Sequence, residues 1–593
     1  MSLFGSLYTG VSGLSVSQRG LNATAHNLSN LDTKGYVRQQ TVLTDSFYTN
    51  IGSNHISYLQ VGHGATAAAI MQVRDQFLDK SYRQELGRQQ FYQAQYETAT
   101  ELEEILGETE GVAFQDSVES LWEAMSELCK EPDSIVTRSS FIQTAVSFIE
   151  RAEMVYDQIK DYQLSLNTNI ENYVDRINEI GDEIKRLNSE IQKYEASGVE
   201  HANDLRDARN LLLDELGGLA DITYKENTSG VVTIMLENQV FLSEDLVYHM
   251  DTRLLENDTG MIEPYWPCYG DIPVYNFDRI PTSEQNTDIG SMKGLLLVRG
   301  NRVGKHVDIP KEPDRADFTD ADGYFWQEEY NNAMEQYKAD VEKYNLEIEA
   351  SAIVSVQAEF DQLIHGIVTT INDLLCPNIE AETADGEKIL IFDAENAPVG
   401  MDENFTPGEA LFDRKSMSRY EKVTVDLVDE FGNVQMGVEV WKYNEEDASN
   451  NYSLFTLGEI EVNKNILKDP SLIPLSSNDR TGDYAVEICE KLLTKWQEPF
   501  STLTPNEYKK HNFNEFYTEM IGALATKGEK FRNVYEGQEA LVNSVDTQRL
   551  SVTAVSSDEE LTNMIKFQQA YNASARYINV VNQMLEHLLN SLG

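Results

Sequence analysis

The fold is decided by two stretches at the ends of the chain, LFGSLYTGVSGLSVSQRGLNATAHNL at residues 3–28 and LTNMIKFQQAYNASARYINVVNQMLEHLLNSL at residues 561–592. Both have the alternating spacing of three and four residues that is typical of a coiled-coil seam. The first seam consists of Phe4, Leu7, Val11, Leu14, Gln18, Leu21, Ala25 and Leu28. The second consists of Leu561, Met564, Gln568, Tyr571, Ala575, Ile578, Asn582, Leu585, Leu589 and Leu592. We therefore expect two helices that pair when the chain folds back on itself.

A single stretch of this kind is more typical of an amphipathic core helix in a globular domain. Two such stretches, one at each end, favour the coiled coil. Both seams also contain amide or small residues, which reduce stability but fix the register and the number of partners. The pattern therefore indicates a specified assembly.

The charge of the chain is concentrated between its ends. The 593 residues include 99 acidic and 47 basic side chains, which gives a net charge of -52. The first 50 residues and the last 38 are nearly neutral by the same count. This acidic balance disfavours nucleic acid and anionic membrane surfaces as partners. It also fits ends that are buried between subunits and a middle that faces water.

Length and hydropathy set the fold class. A chain of this length exceeds a single hydrophobic core, and its 41% hydrophobic content supports folded domains. Helical periodicity runs from residue 68 to 99, from 114 to 127 and from 149 to 194, where the 3 and 4 alternation of residues 170–191 forms another seam. Strand patterns at 222–224, 231–236, 240–242, 423–428 and 434–443 surround a proline-rich region at 256–325 and a helical pattern at 327–375. We expect a mixed α and β, multidomain protein.

Four domains follow from these patterns. Residues 1–50 and 556–593 form a terminal helical coiled-coil assembly domain, and residues 51–220 and 500–555 form a helical rod-like domain. Residues 221–379 form a β-rich domain with linkers and a returning helix at about 327–375. Residues 380–499 form a variable β-rich outer domain, with a possible hairpin turn at 429–432.

Patterns that carry chemistry are absent from the sequence. Its four cysteines (Cys129, Cys268, Cys376 and Cys489) are far apart, and its nine histidines form no His-Glu-x-x-His. There is no Gly-x-Ser-x-Gly pattern or phosphate-binding loop, and acidic pairs such as Asp157 and Asp161 on charged helices are typical of a solvated face. We expect no catalytic residue, no cofactor, no metal site and no disulfide framework.

No targeting or membrane segment is predicted either. Residues 1–18 lack a basic region and are interrupted by glycines, unlike a cleaved signal peptide. No apolar run is long enough to span a bilayer. We expect a cytosolic protein unless export uses a route without a cleaved peptide.

A helix that ends in an asparagine-rich turn before a Gly-Tyr pair occupies residues 25–39, AHNLSNLDTKGYVRQ. This segment resembles the N-terminal signature of flagellar rod, hook and hook-associated proteins, except that Lys34 stands where the family commonly has proline. Residues 558–561 (DEEL) and 567–576 (FQQAYNASAR) are similar to the C-terminal signature of the same family. From the seams and signatures together we expect a subunit-assembly interface at Leu7, Val11, Leu14, Leu21, Asn27, Leu28, Asn30, Gly35, Tyr36, Leu561, Met564, Phe567, Tyr571, Ile578, Leu585 and Leu589.

A second signature lies at residues 202–212, ANDLRDARNLL. By itself it predicts a plain helix with Asn203 or Asp204 as its N-cap, after a preceding helix that ends near Gly198. In the company of the end signatures, Asn203, Asp204, Leu205, Asp207 and Arg209 resemble the members of the family that join the flagellar hook to the filament.

The resemblance implies a structural, non-enzymatic component of the bacterial flagellum. Its partners would be other copies of itself in a ring and the neighbouring axial proteins, namely the hook protein and a second junction protein. A cytosolic chaperone would bind its C-terminal region before type III export without a cleaved signal peptide. The alternative is a secreted coiled-coil adhesin or scaffold outside the flagellar axis.

Overall fold

The computed structural model describes residues 3–54, 57–107, 114–197, 200–256, 259–319, 324–428, 433–477 and 486–592. Long helices and small antiparallel sheets alternate along the chain. The α-helices in the described ranges are α1 (Leu3–Ser29), α2 (Gln76–Leu106), α3 (Phe114–Lys130), α4 (Ile135–Glu195), α5 (Asn203–Leu219), α6 (Ser291–Arg299), α7 (Gln327–Tyr344), α8 (Ala352–Leu375), α9 (Lys464–Lys468), α10 (Val486–Gln497), α11 (Phe513–Thr553) and α12 (Ser557–Leu592).

The strands are short and pair antiparallel in several separate sheets. They are β1 (Gln39–Asp45), β2 (Tyr48–Asn54), β3 (Ser57–Gly62), β4 (Ala65–Gln72), β5 (Ile222–Glu226), β6 (Val232–Leu236), β7 (Gln239–Leu242), β8 (Asp251–Leu254), β9 (Ile262–Trp266), β10 (Ile272–Pro273), β11 (Asn378–Glu382), β12 (Lys388–Phe392), β13 (Phe412–Arg414), β14 (Tyr420–Val428), β15 (Val434–Tyr443) and β16 (Ile460–Val462). The largest sheet has the order β11-β12-β15-β14, and β1 pairs with β4 beside the hairpin of β2 and β3.

The two ends of the chain return to each other in two layers. α12 packs along α1, and α11 packs along α2. The sheet of β1 and β4 packs on α1 between these layers. The predicted mixed α and β fold with paired terminal helices is therefore confirmed.

The long helix α4 is the spine of the helical body. It spans 61 residues and is capped by Ser134, whose hydroxyl accepts the amide N–H of Thr137. The seam predicted at residues 170–191 is buried along its length, and α4 begins at residue 135, well before the predicted start. One apolar stripe thus holds α4 against α5 and the sheet of β5, β6 and β7.

Helix α8 lies at the centre of the body and is buried on every side from residue 352 to 368. α4, α6, α10 and α11 all pack against it. Gln357 on this buried helix donates to the side-chain oxygen of Gln163 of α4 at 3.0 Å. No helix in the described part of the chain is both long enough and apolar enough to cross a membrane.

The sequence predicted a helix from residue 68 and a helical domain from residue 51. Both starting points are wrong. Residues 57–62 and 65–72 are the strands β3 and β4. β4 pairs with β1 along its whole length, so the hydrogen bonds of the ladder decide the structure of this alanine-rich segment. The helix begins only at Gln76, where Asp75 accepts the amide N–H groups of Phe77 and Leu78.

The region 256–325 is also more ordered than the predicted loops and linkers. It contains β9, β10 and the helix α6, whose side chains are largely buried against α2, α4 and α8. Tertiary packing of a short apolar run outweighs the local signals here. The strands predicted at 222–242, 423–428 and 434–443 and the helices at 327–375 are confirmed. The expected turn at 429–432 and the helix end at Gly198 lie outside the described residues.

We predict that Ile177→Ala destabilises the body by about 2–5 kcal/mol, because it leaves a cavity in the fully buried seam of α4. The measurement is the midpoint of thermal unfolding. Val136→Ala is the matched control on the same helix, since Val136 is 73% exposed. Equal midpoints for the two variants would contradict the role of α4 as the spine.

Candidate assembly interface

The terminal helices α1 and α12 meet through the small residues of α1. Gly10 lies against Ile578, Gly13 against Ser574 and Gly20 against Phe567, so the two helices run antiparallel. A methyl group in place of the Gly20 hydrogen would lie 2.5 Å from a ring carbon of Phe567. The close approach of the backbones therefore depends on the absence of side chains at these positions.

The seam predicted for α1 is wrong in part. Phe4, Val11, Gln18 and Ala25 are exposed, and Leu7, Leu14, Leu21 and Leu28 are half-buried. The closed face instead consists of Gly10, Gly13, Ser17, Gly20, Thr24 and Asn27, which repeat with the same alternation of three and four residues. Small residues bring the helices closer than leucines would, and they therefore take the seam.

On α12 one of the two predicted seam positions faces the partner helix. Met564, Tyr571, Ile578 and Leu585 occupy this position and are half-buried. Phe567 and Ser574, which the heptads did not place in the seam, are half-buried as well. Leu561, Gln568, Asn582 and Leu589, at the other predicted position, are exposed, so the prediction that they close the pair within the chain is wrong. The assignment of Leu561 and Leu589 to a subunit interface stays a prediction. Phe567 was assigned to the interface through its signature and not through the heptads, and its ring contacts Gly20.

Large apolar side chains remain exposed on both terminal helices. They are Phe4, Tyr8, Val11, Leu561, Ile565, Tyr577, Val580, Met584, Leu588 and Leu589. Phe4 and Leu589 keep 67% and 68% of their surface in contact with solvent. Exposed apolar side chains of this size, concentrated on two paired helices, are typical of an interaction surface.

The turn after α1 is closed by Asn27. Its side-chain oxygen accepts the hydroxyl of Tyr36 at 2.7 Å and the amide N–H of Gln39 at 3.0 Å, and its NH₂ donates to the carbonyl of Gln39 at 2.9 Å. Gly35 has a φ of +80°, a conformation that side chains disfavour, and it lies against Leu211 of α5. Asn30 donates to the carbonyl of His26 at 3.0 Å. The family signature thus describes one hydrogen-bonded turn.

Asp207 connects the signature that begins at residue 202 with the N-terminal signature at residues 25–39. This carboxylate accepts the amide N–H of Val37 at 3.2 Å and the side-chain NH₂ of Gln72 at 2.7 Å, and it lies 3.8 Å from the guanidinium of Arg74. Gln39 donates to Asp204 at 3.4 Å. We call Asn27, Tyr36, Val37, Gln72 and Asp207 the joint, because they connect α1, β4 and α5.

Burial dominates the electrostatics of the joint. It raises the pKa of Asp207 to about 7, although the Val37 amide and Arg74 oppose the shift. Burial, together with Asp204 and Asp207, also raises the pKa of Tyr36, so its hydroxyl remains a donor. The joint therefore holds a carboxyl group that is partly protonated near neutral pH.

The other residues of the second signature anchor α5. The predicted N-cap at Asn203 or Asp204 is wrong, since the N-cap residue is Ala202 and Asn203 donates to the carbonyl of Ile70 on β4. Leu205 is half-buried. Arg209 is only 1% exposed and donates to Asn188 of α4 at 3.0 Å, to the carbonyl of Gly230 at 2.6 Å and to Glu226 at 3.1 Å.

Sequence reasoning missed the contacts that fasten the C-terminal side of the joint. The amide of Arg38 donates to the carbonyl of Thr553 and its guanidinium to Glu559, both at 2.8 Å. Asp214 of α5 accepts from Arg83 of α2 and from Arg549 of α11, each at 2.7 Å. These partners are far apart in the chain, so no local spacing could have indicated them.

One group of metal-ligating side chains occurs among the described residues, at His306, His365 and Glu446. It belongs to the helical body and involves neither terminal helix. Its ligands come from three distant segments, so the spacing of histidines and cysteines did not reveal it.

We predict that Asp207→Asn changes the pH dependence of stability. Because the folded-state pKa of about 7 exceeds the unfolded value, the folded chain binds more protons between pH 4 and 7, and the Asp207 contribution to stability falls as the pH rises through this range. Asparagine keeps an oxygen for the Val37 amide. The variant should therefore gain stability relative to the parent by up to about 1.4 kcal/mol per pH unit.

The measurement is the midpoint of thermal unfolding at several pH values between 4 and 8. Glu215→Gln, at an exposed position on the same helix, is the control and should keep the parental slope. Parallel curves for Asp207→Asn and the parent would contradict the raised pKa.

Comparison with known proteins agrees with both signatures. The family described as "Flagella basal body rod protein" matches residues 7–36, "Flagellar hook-associated protein FlgK helical domain" matches residues 99–389, and "Flagellar basal body rod FlgEFG protein C-terminal" matches residues 540–592. These three segments together span more than half of the chain.

Whole-length relatives carry one name. The chain is similar to flagellar hook-associated protein 1 of Bacillus subtilis, with 24% identity over 100% of this chain and 99% of the relative. It is similar to the protein of the same name from Escherichia coli, with 22% identity over 98% of each. The structure of the flagellar hook junction protein FlgK from Burkholderia pseudomallei is similar over 80% of this chain and 100% of that chain, with 12% identity and a TM-score of 0.49. From the family matches and the whole-length relatives, the chain belongs to the family of flagellar hook-associated protein 1.

Proposed function

We propose that this protein, a structural component of the bacterial flagellum at the junction between hook and filament, assembles by packing the terminal helices of neighbouring copies together. The observation that carries the proposal is the row of exposed apolar side chains on α1 and α12. Burial of such side chains between subunits is the ordinary source of stability in a permanent assembly.

The way in which α1 closes on α12 supports the proposal, because the residues in that contact differ from the residues left for a neighbouring copy. Glycines and other small residues close α1 on α12, while the bulky residues beside them stay at least partly exposed. A neighbouring copy can bury those residues without opening the pair. The distribution of charge also supports the proposal, because the ends are nearly neutral in a chain with a net charge of -52. Charged ends would repel one another when many copies pack side by side.

The four-domain division predicted from the sequence remains part of the proposal, with strands in place of helix at residues 57–72. The terminal pair would line the axis, the helical body would form a second layer, and the sheet of β11, β12, β15 and β14 would project outward. Arg38 and Asp207 would transmit the orientation of the terminal pair to the body through their contacts.

The partners are other axial proteins of the flagellum. Among them we propose a ring of identical subunits that contacts the hook protein on one side and a second junction protein on the other. We also propose export through the flagellar type III route without a cleaved peptide, after escort by a chaperone that holds the C-terminal region. Exposed apolar residues of α12 would give that chaperone its binding surface in the unassembled chain. We propose no catalytic role.

A secreted adhesin or scaffold outside the flagellar axis is not favoured. The matched relatives span this chain from end to end and bear the name of a flagellar protein.

We predict that Val11→Asp combined with Ile565→Asp prevents assembly and leaves the monomer folded. Val11 and Ile565 are 51% and 55% exposed, so a charge costs little in the free chain, whereas burying it between subunits costs several kcal/mol. The measurement is complementation of a strain that lacks the gene, with electron microscopy of hooks and filaments. The expected result is hooks without attached filaments.

Val136→Asp is the matched control, because it places the same charge on an exposed position of α4. Circular dichroism and thermal unfolding of all variants separate an assembly defect from a folding defect. Normal filaments on cells that carry the double variant would refute assembly through these helix faces.

A further inference from the structure

Three side chains from distant parts of the chain converge in the helical body. His306 begins a short 3₁₀ turn, His365 lies on α8 and Glu446 follows β15. One ligand atom from each lies within 4.8 Å of the others. We infer that His306, His365 and Glu446 form a binding site for a divalent transition-metal ion, with Zn²⁺ as the ion that best suits the donors.

The hydrogen bonds of His306 prepare it as a ligand. Its Nδ1 lies 2.7 Å from a carboxylate oxygen of Asp361, which is completely buried. Asp361 also accepts the amide N–H groups of His306 and Leu457 and the hydroxyl of Thr456, at 2.8–2.9 Å. A carboxylate held by so many donors accepts the Nδ1 proton, which leaves the lone pair of Nε2 free. Metal-binding histidines are oriented by carboxylates in this way.

Glu446 is held in place for the same task. One of its oxygens accepts the amide N–H of Phe455 at 2.6 Å, and the other lies 2.8 Å from Nε2 of His365. Nε2 of His306 lies 3.7 Å from the first oxygen. In the tautomer with the proton on Nδ1, Nε2 of His306 presents a lone pair towards this oxygen, and a cation between the two atoms can bond to both.

Two imidazole nitrogens and one carboxylate oxygen form a donor set that Zn²⁺ accepts, with a fourth position for water. Bonds of 2.0–2.1 Å at tetrahedral angles place ligand atoms about 3.3 Å apart. Nε2 of His365 lies 2.8 Å from one oxygen of Glu446, and Nε2 of His306 lies 3.7 Å from the other. All three ligand atoms lie within 4.8 Å of one another, so modest movements of the side chains would bring them to this separation. The two imidazole rings stack with centroids 3.9 Å apart. Since a metal–imidazole bond lies in the ring plane, binding requires the rings to turn out of this stack.

The ion would act as a structural brace. It would tie the segment that follows β15, and with it the sheet of β11, β12, β15 and β14, to the buried helix α8. Glu446 is the most accessible ligand, with 23% of its side chain exposed, and gives the ion its route of entry. The proposal stands independently of assembly through the terminal helices.

The test uses the full-length chain, stripped with a chelator and dialysed. Titration with Zn²⁺ in a calorimeter should show about one ion bound per chain, and Co²⁺ should produce visible absorption bands with the intensity of a four-coordinate site. Zn²⁺ should also raise the midpoint of thermal unfolding, because an ion that binds the folded chain stabilises it.

Two variants locate the ion. His306→Gln and Glu446→Gln should each abolish the calorimetric signal and the Co²⁺ bands, and the Glu446 variant keeps an oxygen for the Phe455 amide, so its fold should be retained. His249→Gln is the matched control: His249 is exposed and lies 3.1 Å from the single carboxylate of Asp182. Absence of Zn²⁺ binding by the parent, or binding that persists in both ligand variants, would overturn the site.

Discussion

The position of the terminal helices depends on one buried carboxylate. Asp207 of α5 accepts the amide N–H of Val37, just after the turn that follows α1, and the side-chain NH₂ of Gln72 of β4. A charge at this depth is costly, and the cost is reduced by these donors and by the nearby guanidinium of Arg74. Because Arg209 fixes α5 to α4, the joint relates the terminal pair to the spine of the molecule.

The pair is fastened from its other side as well. Arg38 comes directly after Val37 of the joint. It donates to Thr553 at the end of α11 and to Glu559 at the start of α12. Arg549 and Asp214 join α11 to α5 one layer further in. Two connections at separate points resist both tilting and sliding of α1 and α12 against the body. The terminal pair can therefore present a fixed surface, which an assembly with a defined geometry requires.

Periodicity predicted the elements that are repeated over long distances. The seam of α4, the helices at both ends and the hairpins around residues 222–242 follow from spacing alone, since a long buried stripe must repeat with the helix. The end signatures also identified Asn27, Gly35 and Tyr36, which close one turn. Residues 57–72 and α6 could not be predicted, because pairing with β1 and burial among other helices decide their structure.

The site was harder to predict than the fold. The heptads of α1 place leucines on a seam, yet the chain closes on Gly10, Gly13, Ser17 and Gly20, whose 3 and 4 spacing carries no hydrophobic signal. Contacts such as Val37 with Asp207 join residues that are 170 positions apart, and the candidate metal ligands His306, His365 and Glu446 come from three separate segments. Such contacts exist only after the fold has formed, so no window of sequence contains them.

The glycine seam explains why bulky residues remain free for a neighbour. Helices that meet at glycine gain van der Waals contact through close approach, but they bury less apolar area than leucines would, and hydrophobic stabilisation scales with that area at about 25 cal/mol per Å². The pair within one chain is therefore held modestly, while Phe4, Val11 and Ile565 keep most of their apolar surface. In the proposed assembly this surface is buried only when copies meet. The joint and Arg38 fix where this surface lies, and the contact between subunits would then contribute the larger part of the free energy that stabilises the terminal helices.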